Sequence, residues 1–379
     1  MLVVSVACLL VLLLWHLAAP YAVAAAFVLD ISGASPWIRR MLPVRVQPVS
    51  SREVQVPTRH GPIAARLYEP AAHVKRSVLV FPGIHPGGVD EPRLATFAAR
   101  LAATGIRVLS APLPELRQYV ISPASTDVIE DVTAWTAADR SLAPGGRVTL
   151  AGVSFAGGLV LVAAGRPRIA DQVELVVALG AHADLPRVMR YLCTGRLPDG
   201  SIRPPHDYGA VLLLLRLLPE LVPADQEEAA RATVLKFLEA GSAAGADLER
   251  GLELAEQARA MAARLDEPAR TWLRLVNDRD TAALGERLLP YTETLGGAPA
   301  LSPARSPATH APVFLMHGEA DNVIPSTETP LLADYLSRHG NPQVRWLLTP
   351  LLSHADVQAR TPGETWRLIA FWKDLLNTE

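Results

Sequence analysis

The sequence predicts an α/β fold: a mainly parallel central sheet flanked by helices, interrupted by a helical insertion and preceded by an N-terminal hydrophobic helix. Three observations carry that reading. Short apolar runs alternate with helix-period segments from about residue 50 to 180. The same alternation resumes between 312 and 376. Between them, about 185–308 is rich in Leu, Ala and Glu/Arg, and its apolar runs have helical period only. Strands that alternate with helices pair in parallel and are covered on both faces.

Residues 1–29 are apolar except for Ser5, His16 and Pro20, and a bilayer-spanning helix needs roughly 20 apolar residues. The expectation is a transmembrane or signal-anchor helix over 1–29 and a juxtamembrane linker over 30–49. A cleaved signal peptide stays open, because Ala22-Val23-Ala24 resembles a cleavage motif, although no basic residue precedes the apolar run. A buried or interfacial helix stays open too. As a single-pass anchor the segment would sit in a membrane, expected to be a bacterial inner membrane. Trp15 and Trp37 suit headgroup depth, and Arg39, Arg40 and Arg45 follow the span, which favours a cytoplasmic body.

The body begins near residue 50. Residues 52–69 read as two strands around a His60-Gly61-Pro62 turn, an antiparallel pair at the sheet edge. The continuous apolar run 77–81 (SVLVF) is a strand buried on both faces. A Gly/Pro loop over 82–90 leads to a helix over 91–103, with Pro92 in its first turn. Then come a strand at 106–111, a helix over 125–139 starting near Ser125 or Thr126, and a strand at 147–151. The last runs into a sharp turn and an apolar helix to about 165, then a strand at 173–180. Inside the insertion, 209–222, 226–240 and 247–264 have helical period, and the leucines of 212–218 read as its core. A Gly/Pro/Ser-rich linker at 296–308 returns the chain to a strand at 312–316, a helix near 328–339, a strand at 343–348 and a helix at 363–376.

Composition narrows the function classes. Half of the 379 residues are hydrophobic, which excludes disorder of the whole chain. The net charge of −2 argues against nucleic acid, because phosphate binding needs a basic excess. Two cysteines, Cys8 and Cys193, with no CxxC or Cys/His cluster, argue against a disulfide scaffold or a structural zinc site.

Chemistry is concentrated at three predicted strand ends. The strand ending at 151 runs into Gly152-Val153-Ser154-Phe155-Ala156-Gly157-Gly158 and a helix. A serine on such a turn needs small residues two before and two after it, so that strand and helix approach closely. Met316-His317-Gly318-Glu319-Ala320-Asp321-Asn322-Val323-Ile324-Pro325 follows the strand at 312–316, and Leu351-Leu352-Ser353-His354-Ala355-Asp356 follows the last strand. A serine hydroxyl is a weak nucleophile until a base takes its proton, and a histidine held by a carboxylate is such a base. Ser154, Asp321 and His354 all fall just beyond carboxyl ends of strands, where open α/β sheets build their sites.

These motifs, in the order Ser, acid, His, resemble the α/β-hydrolase superfamily, of the serine esterase and lipase type. Ala156 stands where a second Gly is commoner. The resemblance covers 50–185 and 308–379 as the catalytic domain and leaves 186–307 as a helical lid insertion. It implies an α/β-hydrolase fold and a Ser154-His354-Asp321 triad that cleaves a carboxylic ester through an acyl-enzyme. It also implies an oxyanion hole of backbone N–H groups: Phe155, after the nucleophile, and Ile84 or His85 in the loop Phe81-Pro82-Gly83-Ile84-His85-Pro86-Gly87-Gly88. No metal or organic cofactor is required. The implied substrate is a small-molecule or lipid ester, an apolar acyl group fitting a leucine-rich lid beside a membrane anchor.

Alternatives remain: an amidase or peptidase, an acyltransferase with the same triad, or a non-catalytic membrane-linked binding protein. The remaining residues have plainer readings. His317 supports its loop, Glu319 is solvated, and His182 is core or rim support. Asp127, Glu130 and Asp131 suit a helix dipole, and Asp184 and Asp356 are weak alternative acids.

Overall fold

Apolar runs bounded by turn residues become eight strands: β1 (Val49–Val56), β2 (Ile63–Pro70), β3 (Ser77–Phe81), β4 (Arg107–Ser110), β5 (Val148–Val153), β6 (Val173–Leu179), β7 (Val313–Gly318) and β8 (Val344–Thr349). Every residue of β3 and β7 is buried, as continuous apolar strands between two helical layers must be. The computed structural model describes residues 2–32, 44, 47–71, 74, 76–245, 247–341, 343–352 and 361–378, with side chains from residue 16 onward.

The strands form one sheet in the order β1-β2-β4-β3-β5-β6-β7-β8. β2 pairs antiparallel with β1 and β4, and all other pairs are parallel. With its flanking helices this is an α/β fold on an eight-stranded, mostly parallel sheet. Before the insertion the helices are α1 (Leu2–Ile31), α2 (Pro92–Ala102), the single turn α3 (Pro114–Arg117), α4 (Pro123–Ala138) and α5 (Phe155–Ala164). The insertion holds α6 (Leu185–Thr194), α7 (Asp207–Leu221), α8 (Ala224–Ala244), α9 (Leu248–Ala263), α10 (Ala269–Asn277), α11 (Thr281–Leu288) and α12 (Thr292–Gly296). After it come α13 (Glu328–Arg338) and α14 (Pro362–Asn377).

The chain divides into two compact units. One is Met1–Ala183 with Pro299–Glu379, the sheet and its helices; the other is Asp184–Ala298 and is helical. In the second, Leu212, Leu213, Leu214, Leu215, Leu217 and Leu218 of α7 are buried. In the first, α2 shows how sequence sets an element. Pro92 takes the first helical position, Glu91 caps the helix by accepting the Leu94 N–H at 2.7 Å, and Leu94, Ala98 and Leu101 form its buried stripe.

The N-terminal helix departs from expectation. Among the described residues no helix is long and apolar enough to cross a membrane. The second half of α1 is instead part of the protein core. Ala24, Phe27 and Val28 are buried in the cluster that holds Leu368 and Trp372 of α14. The Phe27 ring lies 4.6 Å from Trp372 and 5.8 Å from Phe97 of α2, centroid to centroid, and Tyr21 stacks on Trp366 at 5.2 Å. Apolar side chains already committed to protein partners have no lipid-facing role. The expected single-pass anchor, the membrane as partner and the inner-membrane location are therefore overturned. Arg39, Arg40, Arg45, Trp37 and the Trp15 side chain, used for that reading, lie outside the described residues.

Candidate active site

β5 passes to α5 through one residue, Ser154, at φ 57 and ψ −129. A non-glycine residue held in such a region costs about 1–3 kcal/mol. Two backbone bonds over-determine it: the Ser154 N–H donates to the Leu179 carbonyl at 2.7 Å, and the Gly157 N–H donates to the Ser154 carbonyl at 2.8 Å. The glycines are required by contact. A Cβ on Gly152 would stand 2.4 Å from the Ala156 carbonyl oxygen, and one on Gly158 would stand 2.2 Å from the His182 ring. Ala156 is fully buried, so its methyl fits where a glycine is commoner. Phe155 opens α5, so its N–H is among the donors a helix leaves unpaired at its positive end.

The loop after β3 rests on this serine. A Cβ on Gly83 would meet the Ser154 Cβ and the Val153 carbonyl oxygen, both at 3.0 Å, and the Ser154 Oγ at 3.6 Å. Among the described residues the N–H groups of Ile84 and His85 donate to no backbone or side-chain acceptor. The Gly83 N–H likewise meets no acceptor, so all three are available as donors.

Asp321 lies in the turn after β7 and is buried. Its Oδ1 accepts the N–H groups of Val323 at 2.8 Å and Ile324 at 3.0 Å. Gly180, at φ 64 beyond β6, separates it from the serine: a Cβ there would stand 3.7 Å from Asp321 Oδ2 and 4.0 Å from the Ser154 Cα. The strand ends of β5, β6 and β7 thus bring Ser154 and the Asp321 carboxylate to two sides of one glycine. His317 is fully buried; its ring nitrogens lie 2.8 Å from Thr329 Oγ1 and from the Ile324 carbonyl oxygen, so it braces the acid loop.

His354 and Asp356 lie outside the described residues. The segment leading to His354 is placed as far as Leu352, whose carbonyl oxygen would be 2.4 Å from a Cβ on Gly318. It therefore crosses the start of the acid loop. Asp184 caps α6 by accepting the Arg187 N–H at 2.8 Å. Glu319 is exposed. His182 is fully buried, with Nε2 2.7 Å from the Leu301 carbonyl oxygen.

Two arrangements escaped the sequence reading. Buried Glu328, the first residue of α13, accepts the Ala183 N–H at 2.8 Å and so ties the strand-end loop after β6 to the helix behind the acid loop. The other is an ion cluster. α4 starts at Pro123 under a Ser122 cap, earlier than expected, so Glu130 and Asp131 lie beyond its first turn, where the dipole has faded. Both are buried and pair with arginines: Arg59 with Glu130 at 2.6 Å and with Asp131 at 2.8 Å, and Arg168 with Asp131 at 2.5 Å. Arg166 pairs with Asp127 at 2.7 Å. Burial pushes the Asp131 carboxyl up, but hydrogen bonds from the Arg59 side chain and backbone and from Arg168 outweigh it and hold it well below the usual carboxylate range. The cluster joins the β1–β2 turn to α4 and to the far end of α5, a helix length from Ser154.

No protein-family model matches the sequence, and no curated protein matches it. Solved structures align at low identity. An esterase from Pyrobaculum calidifontis is 15% identical, over 95% of this chain and 92% of that chain, at a TM-score of 0.48. Brefeldin A esterase, a bacterial homologue of human hormone-sensitive lipase, is 15% identical over 93% and 80%, at 0.46. A thermophilic carboxylesterase from a metagenomic library is 14% identical over 86% and 90%, at 0.44.

Proposed function

We propose that the chain is a serine hydrolase of the α/β-hydrolase type that cleaves a carboxylic ester, with Ser154 as nucleophile, His354 as base and Asp321 as the acid that orients it. The single observation that carries the reading is the strained turn at Ser154 (φ 57), with the Asp321 carboxylate across Gly180. Strain of this kind clusters at active sites.

In this mechanism His354 takes the Ser154 proton as Oγ attacks the ester carbonyl carbon. The resulting oxyanion accepts the Phe155 N–H and the N–H of Ile84 or, as second choice, His85. Collapse breaks the bond to the alkoxy group, which leaves as the alcohol with the proton from His354. Water, deprotonated by the same histidine, then attacks the acyl-enzyme and releases the acid and free Ser154. The apolar-acyl expectation rested partly on a membrane anchor, and with that gone the proposal stops at a carboxylic ester.

The test is labelling by a fluorophosphonate probe with peptide mapping, on the wild type and on Ser154→Ala, His354→Ala and Asp321→Ala. The expected result is a Ser154 adduct, absent in Ser154→Ala and at least tenfold slower in the other two. A folded wild type that takes no label and turns over no ester would overturn the proposal.

A further inference from the structure

The loop that rests on Ser154 contains its own lock, and its meaning depends on the hydrolase reading above. The Gly87 N–H donates to His85 Nδ1 at 3.1 Å, and the Gly88 N–H donates to the His85 carbonyl at 3.0 Å. Ring and carbonyl of one residue therefore close the turn at Gly87-Gly88. Arg117, at the end of α3, donates from Nε to the Pro86 carbonyl at 3.2 Å. A Cβ on Gly87 would be 3.0 Å from His85 Nδ1, and Gly88 has φ 53, where a side chain would be strained. The far half of the loop is thus pinned at His85, while the near half lies on the serine through Gly83. Pro82 and Pro86 have no N–H, and among the described residues the N–H groups between them, on Gly83, Ile84 and His85, meet no acceptor.

The bond from Gly87 needs Nδ1 as an acceptor, which requires the neutral ring with its proton on Nε2. An imidazolium would set two donors against each other. The charged groups acting on the ring are Glu91 and Arg93 at the start of α2, while Arg117 of α3 is engaged with the Pro86 carbonyl. Burial pushes His85 below its ordinary value; Glu91 opposes this and Arg93 adds to it. Burial and the bond from Gly87 both favour the neutral ring.

We propose that His85 is a positioning residue whose neutral imidazole, by accepting the Gly87 N–H, fixes the Gly83–Gly88 loop so that the Ile84 N–H meets the oxyanion formed on Ser154, and that protonation of the ring releases the loop and stops hydrolysis. This side-chain role is separate from any backbone contact of His85.

The test measures kcat and KM on a p-nitrophenyl ester across acid and neutral pH for the wild type, His85→Ala and His85→Asn. An asparagine Oδ1 reaches the N–H two residues on, as the His85 ring does here, and does not titrate. Misplacing one oxyanion donor lowers rate by about 10- to 100-fold. His85→Ala should therefore lose that much kcat with KM nearly unchanged, and His85→Asn should recover most of it. On the acid side the wild-type log(kcat/KM) should steepen toward a two-proton slope as His85 joins the catalytic base, and His85→Asn should keep a one-proton slope. Wild-type kcat in His85→Ala, or a two-proton limb retained in His85→Asn, overturns the proposal; the second holds even if the alanine variant does not fold. Ser154→Ala is measured beside them. Turnover persisting there sinks the hydrolase reading itself, whereas its loss with no His85 effect sinks only the positioning role.

Discussion

Adding one methyl group at position 152 should push β5 and α5 apart. The Cβ of Gly152→Ala would meet the Ala156 carbonyl oxygen at 2.4 Å, the Ala156 carbonyl carbon at 2.6 Å and the Gly157 nitrogen at 2.8 Å. All three are backbone atoms of the first turn of α5, so no rotamer change relieves the overlap. The first contact falls about 1 Å short of ordinary van der Waals distance. Overpacking of that kind costs about 1–3 kcal/mol. The same shift carries the Ser154 hydroxyl and the Phe155 N–H away from their places, and a displacement of about 1 Å at a reacting group lowers rate by about 100-fold. The assay pairs thermal unfolding with kcat and KM on a p-nitrophenyl ester. The expected variant folds, melts several degrees lower and loses about two orders of magnitude in kcat with a smaller change in KM. A variant with wild-type melting temperature would refute the packing argument. One that is destabilised but keeps wild-type kcat would refute the link from the turn to catalysis.

Three further outcomes follow from other parts of the molecule. Ser154→Gly should abolish ester turnover like Ser154→Ala yet unfold about 1 kcal/mol harder than it, because glycine accepts the φ of 57 without strain; equal stabilities in denaturant titration would show that the turn stores none. Phe27→Ala should cost about 3–5 kcal/mol by opening a cavity against Phe97 and Trp372; an unchanged unfolding curve would mean that α1 is not part of the core. Asp131→Asn should cost about 1–2 kcal/mol at pH 7, since its arginine partners are half exposed. The folded Asp131 carboxyl is held below its unfolded value, so its contribution is present above about pH 4 and is lost as pH falls through the folded value. The stability gap between wild type and Asp131→Asn should therefore narrow below about pH 4, and a gap constant from pH 7 to pH 3 would contradict the assignment.

Much of the sheet was legible because burial on both faces leaves a plain mark. SVLVF of β3 has no polar residue beyond its first, and every position is buried. The turn at Ser154 was legible for a related reason: close approach of strand and helix tolerates little beyond a glycine at 152, and that demand is written in the chain. The ion cluster was not legible, because Arg59 and Asp131 are 72 residues apart and neither sits in a pattern that names the other. Arg166 and Arg168 look from the sequence like loop charges after an apolar helix. The lock at His85 was hidden as well. A histidine between two Gly/Pro pairs reads as loop, and only the folded turn shows its ring accepting the Gly87 N–H.

The N-terminal helix marks the boundary between the two kinds of information. The sequence alone determined that the apolar run at the N-terminal end is helical, that alternating strands and helices build a mainly parallel sheet, and that Ser154 and Asp321 stand at strand ends. Hydrophobic pattern measures how strongly a segment avoids water, but it is silent on what replaces the water. Only the tertiary structure decided that Phe27 and Val28 pack with Trp372 in the protein core, that Gly83 lies on Ser154, and that Gly180 stands between Ser154 and the Asp321 carboxylate. Those are contacts between residues far apart in the chain, and they are set by the order and register of the strands rather than by any local preference.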